Sequence, residues 1–333
     1  MSKIGLFDPS LKDNNREPSV NLGDIIISKS IEKCLNEMFS NSEVIRISSH
    51  VLPSKKEFNI LNECELIFIG GTNILSSEIN KYNQWKVLKN KFNGLFSSVP
   101  IENIILLGVG WWQYQSSPEY NTKKFYEKIL SKNKFHSVRD KYTLKMLESI
   151  DINNVLNTSC PTTWELNGQE INRKLIKENC LFTITDYMKD VESDNSLIQI
   201  ILDSYSGKIF FFPQGTGDVN YITLLSSFKK NKERITVLNR TIDEFEECLT
   251  FADVDYVGTR LHAGINALQL KKNSLILSVD NRATEMAKDI SLPVVSRKDL
   301  KMIRKWINGD NVFSNIKIPI ESITLWKNQF KLM

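Results

Sequence analysis

The sequence predicts an α/β fold with parallel sheets, divided into two domains. Three observations lead there. Short apolar runs alternate with amphipathic stretches along most of the chain, the pattern of strands separated by crossover helices. Two of the runs, Ile104-Ile-Leu-Leu107 and Leu275-Ile-Leu-Ser278, are almost continuously apolar, as a strand covered on both faces requires. A length of 333 residues exceeds what one hydrophobic core ordinarily organises.

In the first half, strands are expected at Lys3–Phe7, Glu43–Ile47, Glu65–Ile69, Asn103–Val109 and Lys134–Val138. In the second half they are expected at Leu181–Thr185, Lys208–Phe212, Arg234–Leu238, Val254–Val257, Ser274–Ser278 and Val294–Val295. Each is short and carries the β-branched, aromatic or leucine side chains that a covered strand needs. Helices are expected at Asp24–Phe39, Thr122–Leu130, Lys141–Leu147, Ile242–Leu249, Leu261–Leu270, Asn281–Ile290 and Ile320–Phe330. There the apolar residues return every three or four positions. The alternation fades between Pro161 and Asn179, where Pro161-Thr-Thr-Trp-Glu and Asn167-Gly-Gln-Glu-Ile-Asn-Arg read as a connection. The expected division is a first Rossmann-like domain over 1–165, a second over 166–310, and a terminal helix in 311–333 that packs back on the first.

Composition narrows the function classes. With 41% hydrophobic and 25% charged residues, the chain falls among folded globular proteins rather than disordered ones. A net charge of +4 is too small to point to nucleic acid. Five widely spaced cysteines, with no C-x-x-C pair, fit free thiols in a reducing compartment and give no zinc or disulfide framework. The first residues lack the apolar region of a signal peptide, and no run reaches the ~20 residues of a membrane span. The expectation is a cytoplasmic protein, touching the inner face of a membrane only at its surface. Arg297, Lys298, Lys301, Arg304 and Lys305 form a basic patch that suits either such a contact or a solvated helix face.

Four motifs sit at expected strand ends or helix starts. Gly258-Thr-Arg-Leu-His262 closes a strand and opens a helix, where free N–H groups and the positive dipole end favour an anion. Arg260 adds a planar cationic fork, and His262, one of only three histidines, adds a group that titrates near neutrality. Ser137-Val-Arg139-Asp140 repeats the theme, with Arg139 set either to bind an anion or to pair with Asp140. Gly70-Gly71-Thr72-Asn73 permits a tight turn with amides facing a ligand, although neither the Walker nor the dinucleotide spacing is present. Asn21-Leu-Gly-Asp24 opens the first long helix, where Asn21 or Asp24 serves as a cap or Gly23 admits a ligand. The turns after Glu65–Ile69 and Asp255–Val257 echo each other, each running strand, Gly, Thr, polar residue, helix.

Together these motifs, in this order over roughly residues 5–290, resemble the polysaccharide pyruvyl transferase family. The resemblance implies two Rossmann-like domains facing a cleft, similar to GT-B glycosyltransferases. It implies phosphoenolpyruvate as co-substrate with no further cofactor, a sugar diol as acceptor, and a pyruvate ketal and phosphate as products. It assigns the donor to Arg139, Arg260, Leu261 and His262, with Gly258 and Thr259 expected alongside. Since ketal formation needs a proton at the enol methylene, His262 is the expected catalytic acid. The chain departs from the family in reading Gly70-Gly-Thr-Asn73 where many members have three glycines. It also reads Ser159-Cys-Pro161 where many carry Asp-Pro. Asp24 is the expected base, from its position in the Asn-x-Gly-Asp motif. The acceptor is expected to meet Asn21, Gly70, Gly71, Asn73, Trp111, Trp112, Gln214 and Asp218, since aromatic faces stack on sugar C–H surfaces; the tryptophans read equally as core aromatics and the glycines as a structural turn. Arg282 is a further anion contact or an ion-pair partner of Glu285. A lipid- or nucleotide-linked glycan precursor is the expected partner. The alternatives are a GT-B enzyme using a nucleotide sugar, because fold alone does not fix function, and a non-catalytic anion- or sugar-binding protein.

Overall fold

The computed structural model describes residues 2–51, 53–79, 104–169, 177–310 and 313–331. Asn103 of the expected fourth strand and residues 170–176 of the expected connection lie outside them. The chain divides into two compact units. Residues 1–19, 27–164 and 318–333 form the first, and 20–26 with 165–317 form the second. Residues 20–26, assigned from sequence to the first domain, thus belong to the second unit. The reason is packing: Leu22 and Ile26 lie in a cluster with Leu181, Phe212 and Tyr256, and the Leu22 amide donates to the Gln214 carbonyl at 3.2 Å.

In the first unit, β1 (Lys3–Asp8), β2 (Glu43–Ser48), β3 (Leu66–Gly70) and β4 (Ile104–Leu107) form a parallel sheet in the order β2-β1-β3-β4. The parallel pair β5 (His136–Val138) and β6 (Val155–Asn157) lies beside β4. The ladder between β4 and β5 is interrupted by a side chain. Leu106 N–H donates to His136 Nδ1 at 3.2 Å, so the ring's Nε2–H donates to the Ser131 carbonyl at 2.9 Å. Burial pushes this imidazole down to about 4, so it stays neutral and structural near pH 7.

Both faces of the sheet are covered, and the strands show the period of two that this demands. Ile67, Ile69, Ile104 and Leu106 face one cluster, with Phe125 and Tyr126 of α3 (Tyr120–Ile129). Phe68, Ile105 and Leu107 face another, with Ile31 and Leu35 of α1 (Leu22–Met38) and Trp326 of the C-terminal helix Ile320–Asn328. The Trp326 ring meets Phe68 and Trp164 edge-on at 6.1 and 6.2 Å. Among the described residues the unit also has α2 (Lys55–Asn62) and α4 (Lys141–Glu148).

The second unit is a six-stranded parallel sheet of β7 (Asn179–Thr183), β8 (Ile209–Phe211), β9 (Ile235–Val237), β10 (Val254–Gly258), β11 (Ser274–Ser278) and β12 (Val294–Ser296). Their order is β9-β8-β7-β10-β11-β12, so the chain reverses its direction of travel across the sheet between β7 and β10. Its helices are α5 (Val191–Ser204), α6 (Asp218–Ile222), α7 (Ser226–Lys230), α8 (Ile242–Phe251), α9 (Leu261–Gln269), α10 (Asn281–Ile290) and α11 (Leu300–Ile307).

Two pairings differ from the sequence-based expectation. Glu285 is bound by Lys288 at 2.6 Å, and Arg282 by Asp280 at 2.6 Å. Asp280 wins because it caps the same helix and takes both Arg282 N–H at 3.0 Å and Arg282 Nε at 2.9 Å. Arg297 leaves the basic patch: it is buried, donates to the Met188 carbonyl at 2.7 Å and pairs with Asp194 at 3.4 Å. Lys298, Lys301, Arg304 and Lys305 stay exposed on and beside α11, whose Ile303, Trp306 and Ile307 face the core.

Candidate active site

In open parallel sheets, ligands bind at the carboxyl ends of strands where the strand order reverses. In the second unit that point lies between β7 and β10. The strands are pressed together there, since a Cβ on Gly258 would stand 2.7 Å from the Thr183 amide nitrogen. Thr183 Oγ1 accepts from Arg260 N–H at 3.2 Å, and Thr259 Oγ1 accepts from Thr185 N–H at 2.8 Å. The Tyr256 hydroxyl donates to the Arg260 carbonyl at 2.9 Å. These bonds pin the turn that leads into α9.

Arg260 is 4% exposed. Its Nε donates to Asp218 Oδ2 at 3.0 Å, its Nη2 donates to Asp218 Oδ1, and Nη2 also donates to Asp186 Oδ1 at 3.1 Å. The guanidinium lies 5.0 Å from the centre of the Tyr187 ring. Arg282 also reaches Tyr187, donating through Nη2 to its hydroxyl. Asp218 is itself fixed by Gly215 N–H at 2.8 Å and Asp186 N–H at 3.0 Å. Burial raises the Asp218 carboxyl above its ordinary range, and the charge of Arg260 opposes that rise. A Cβ on Gly215 would collide with the guanidinium. Arg260 Nη1 donates to no group among the described residues. Leu261 and His262 follow at once in the first turn of α9, which carries no side-chain cap. Both are buried, with His262 5% exposed.

The first unit builds a related node. Arg139 follows β5 and is 1% exposed. It donates through Nη2 to Asn73 Oδ1 at 2.6 Å, and through Nε to Asp140 Oδ2 at 3.3 Å. Asp140 also caps α4, accepting from Thr143 N–H and Thr143 Oγ1 at 2.7 Å each. A Cβ on Gly110 would overlap the guanidinium, so a glycine backs each of the two arginines. Arg139 thus pairs with Asp140, and its Nη1 donates to no group among the described residues.

A family model for polysaccharide pyruvyl transferases matches residues 21–281. The chain belongs to the polysaccharide pyruvyl transferase family. No curated protein sequence matches it. Among solved structures, it is similar to the UDP-GlcNAc 2-epimerase of Methanocaldococcus jannaschii, with 15% identity over 96% of this chain and 94% of that one and a TM-score of 0.52. It is also similar to MnaA of S. aureus in a co-structure with UDP, with 11% identity over 93% and 89% of the two chains and a TM-score of 0.51. These likenesses are likenesses of fold, and the family member described here has the Rossmann-like, GT-B-like α/β architecture expected from its sequence.

The residues expected to serve pyruvyl transfer separate by unit. Gly258, Thr259, Arg260, Leu261 and His262 lie together in the second, and Asn21, Asp24, Gln214 and Asp218 belong to that unit too. Asn21 accepts from Gly23 N–H at 3.2 Å and from Gln214 Nε2 at 2.9 Å, and donates to Asp24 Oδ1 at 3.0 Å. Gly70, Gly71, Asn73, Trp111, Trp112 and Arg139 lie in the first.

Four of the expected acceptor contacts are corrected. Trp111 is fully buried, with Nε1 donating to Gln115 Oε1 at 3.0 Å and its ring edge-on to Tyr126 at 6.1 Å. It is a core residue; the exposed aromatic of that loop is Tyr114. Both oxygens of Asp218 are taken by Arg260. Gly70 lies inside β3, and Gly71 N–H donates to the Leu107 carbonyl at 2.8 Å. Side chains at Gly70 and Gly71 would strike Ile31 and Ile27 of α1, so the doublet serves helix packing. The residues that sequence reasoning missed are Asp186 and Tyr187. Their signal was present, since Thr185-Asp-Tyr187 follows the first strand of the second unit.

Proposed function

We propose that the protein transfers the pyruvyl group of phosphoenolpyruvate to a sugar diol of a glycan or its lipid- or nucleotide-linked precursor. The observation that carries this reading is Arg260, buried at the strand-order reversal of its unit with a guanidinium Nη1 that donates to no group among the described residues. Family membership supports it. A phosphate or carboxylate oxygen accepts from Arg260 Nη1 and from amides of the first turn of α9, where Arg260 makes no side-chain cap bond, each charge-assisted bond contributing about 1.5–3 kcal/mol.

The chemistry then needs a proton at the methylene carbon. His262 as imidazolium delivers it, making the central carbon electrophilic. One sugar hydroxyl adds there, phosphate leaves with the C–O bond electrons, and the second hydroxyl closes the ketal. Of the two hydroxyl protons, one restores His262 and the other leaves with phosphate. Asp24 serves as base in this reading, taking one hydroxyl proton first and passing it to the departing phosphate, while Asn21 and Gln214 contact the acceptor. The exposed Lys298, Lys301, Arg304 and Lys305 favour an anionic, lipid-linked acceptor.

A thermal-shift comparison tests the donor. Phosphoenolpyruvate is expected to raise the melting temperature by several degrees at millimolar concentration, as a ligand of the folded state does, and UDP-GlcNAc to leave it unchanged. A shift with UDP-GlcNAc alone would replace this reading with nucleotide-sugar chemistry.

A further inference from the structure

Arg260 is bracketed by more negative charge than it can neutralise. One guanidinium faces two carboxylates, Asp218 and Asp186, so the group as it stands carries a net charge of −1. A multiply charged anion gains little there unless one carboxylate withdraws. The two carboxylates are not equivalent. Asp218 is fully buried, takes two bonds from the guanidinium and is locked by the Gly215 and Asp186 amides. Moving it would strand an unpaired charge inside the protein. Asp186 has a side chain 36% exposed, and its carboxylate takes one hydrogen bond among the described residues, from Nη2 at 3.1 Å. It can turn to water without leaving a buried charge unpaired. The backbone leaves it room, because residue 217 is a glycine and any Cβ there would overlap the Asp186 carboxylate.

We infer that Asp186 is a displaceable internal counter-ion: its carboxylate holds the place on Arg260 Nη2 that an oxygen of the anionic donor takes on binding. Asp218 is the positioning residue that keeps the fork aimed while this exchange occurs. The inference rests on the donor reading given above. It adds a selectivity element, since an anion enters only if its own contacts outweigh those of Asp186. Single charges then compete poorly, and a ligand carrying both phosphate and carboxylate competes well.

The test is calorimetric titration of the full-length protein with phosphoenolpyruvate, and separately with inorganic phosphate. The proteins are wild type, Asp186→Asn and Arg260→Gln, each checked for its melting temperature. Asp186→Asn keeps the side-chain volume and removes the competing charge. The expected result is a Kd for phosphoenolpyruvate five- to twentyfold lower than wild type, measurable binding of inorganic phosphate, and a melting temperature within about two degrees. An unchanged or weaker Kd in Asp186→Asn, with wild-type binding still lost in Arg260→Gln, would overturn the counter-ion role and leave the donor site standing. Absence of phosphoenolpyruvate binding in all three folded proteins would overturn the donor reading and this inference with it.

Discussion

Arg139 and Arg260 occupy comparable places in their own units, yet they are neutralised differently. Each follows a parallel strand, each is buried, and each rests against a glycine that no other residue could replace without displacing the guanidinium. Arg139 is held by one carboxylate at 3.3 Å and by the neutral amide of Asn73 at 2.6 Å. Arg260 is held by two carboxylates, one of them in a two-point bond. Asp140 keeps the Thr143 amide and hydroxyl as donors to Oδ1 when Arg139 is removed. Asp218 depends on Arg260 heavily, since burial raises its carboxyl and the arginine is the cation that opposes the rise. The lesson is that two arginines reading alike in the sequence differ in what their removal exposes.

The largest effect that tests this contrast is on stability. Arg260→Ala leaves Asp218 buried without its cation and is expected to cost about 3–5 kcal/mol. Arg139→Ala removes one charged and one neutral bond around a carboxylate that keeps other donors, and is expected to cost about 1–3 kcal/mol. Urea unfolding of both variants measures the difference; equal costs would erase the distinction between the nodes.

A second test uses pH and belongs to the first unit alone. His136 is buried and its imidazole is pushed down to about 4, against an ordinary value near 6.5. Between those values the unfolded chain binds a proton that the folded chain refuses. The stability His136 contributes is therefore full above pH 6.5 and is lost as pH falls towards 4, by roughly 3 kcal/mol. His136→Asn, which retains an acceptor for the Leu106 amide, is expected to flatten that slope. An unchanged slope would mean that other groups set the acid sensitivity.

The smallest effect comes from the glycines. Gly110→Ala and Gly215→Ala each force a guanidinium to shift, at about 1–3 kcal/mol of overpacking. Gly215→Ala is expected to weaken phosphoenolpyruvate binding roughly tenfold. Isothermal titration checks this; full affinity would show that the position of Arg260 is not what the ligand reads.

Much of the architecture was legible from the sequence, and particular residues show why the rest was not. β4 and β11 announce themselves because a strand covered on both faces is apolar at every position, as Ile104–Leu107 and Ser274–Ser278 nearly are. β6 has only three residues, Val155–Asn157, too few for a period to emerge. The helices α2, α5, α6 and α7 are not legible in the sequence pattern. α5 opens with the polar run Val191-Glu-Ser-Asp-Asn-Ser196, and its apolar face begins only at Leu197. The membership of residues 20–26 in the second unit depends on Gln214, nearly two hundred positions away, and periodicity is silent on such pairings.

The candidate site divides in the same way. Gly258, Arg260 and His262 could be found because strand end, glycine and helix start are local signals. The roles of Trp111, Gly70 and Gly71 were misread because an aromatic or glycine after a strand has the same local sequence whether it faces a ligand or the core. Asp186 and Asp218 are joined to Arg260 only by the fold, since they lie 74 and 42 positions away.

The central claim is that Arg260 binds the anionic donor through its remaining guanidinium edge. The direct measurement is the Kd of phosphoenolpyruvate for wild type and for Arg260→Lys, with circular dichroism to establish that both are folded. Lysine keeps the charge but cannot bond Asp218 at two points and present a third edge. The account predicts a Kd at least thirtyfold higher in Arg260→Lys, while a Kd equal to that of wild type would contradict it.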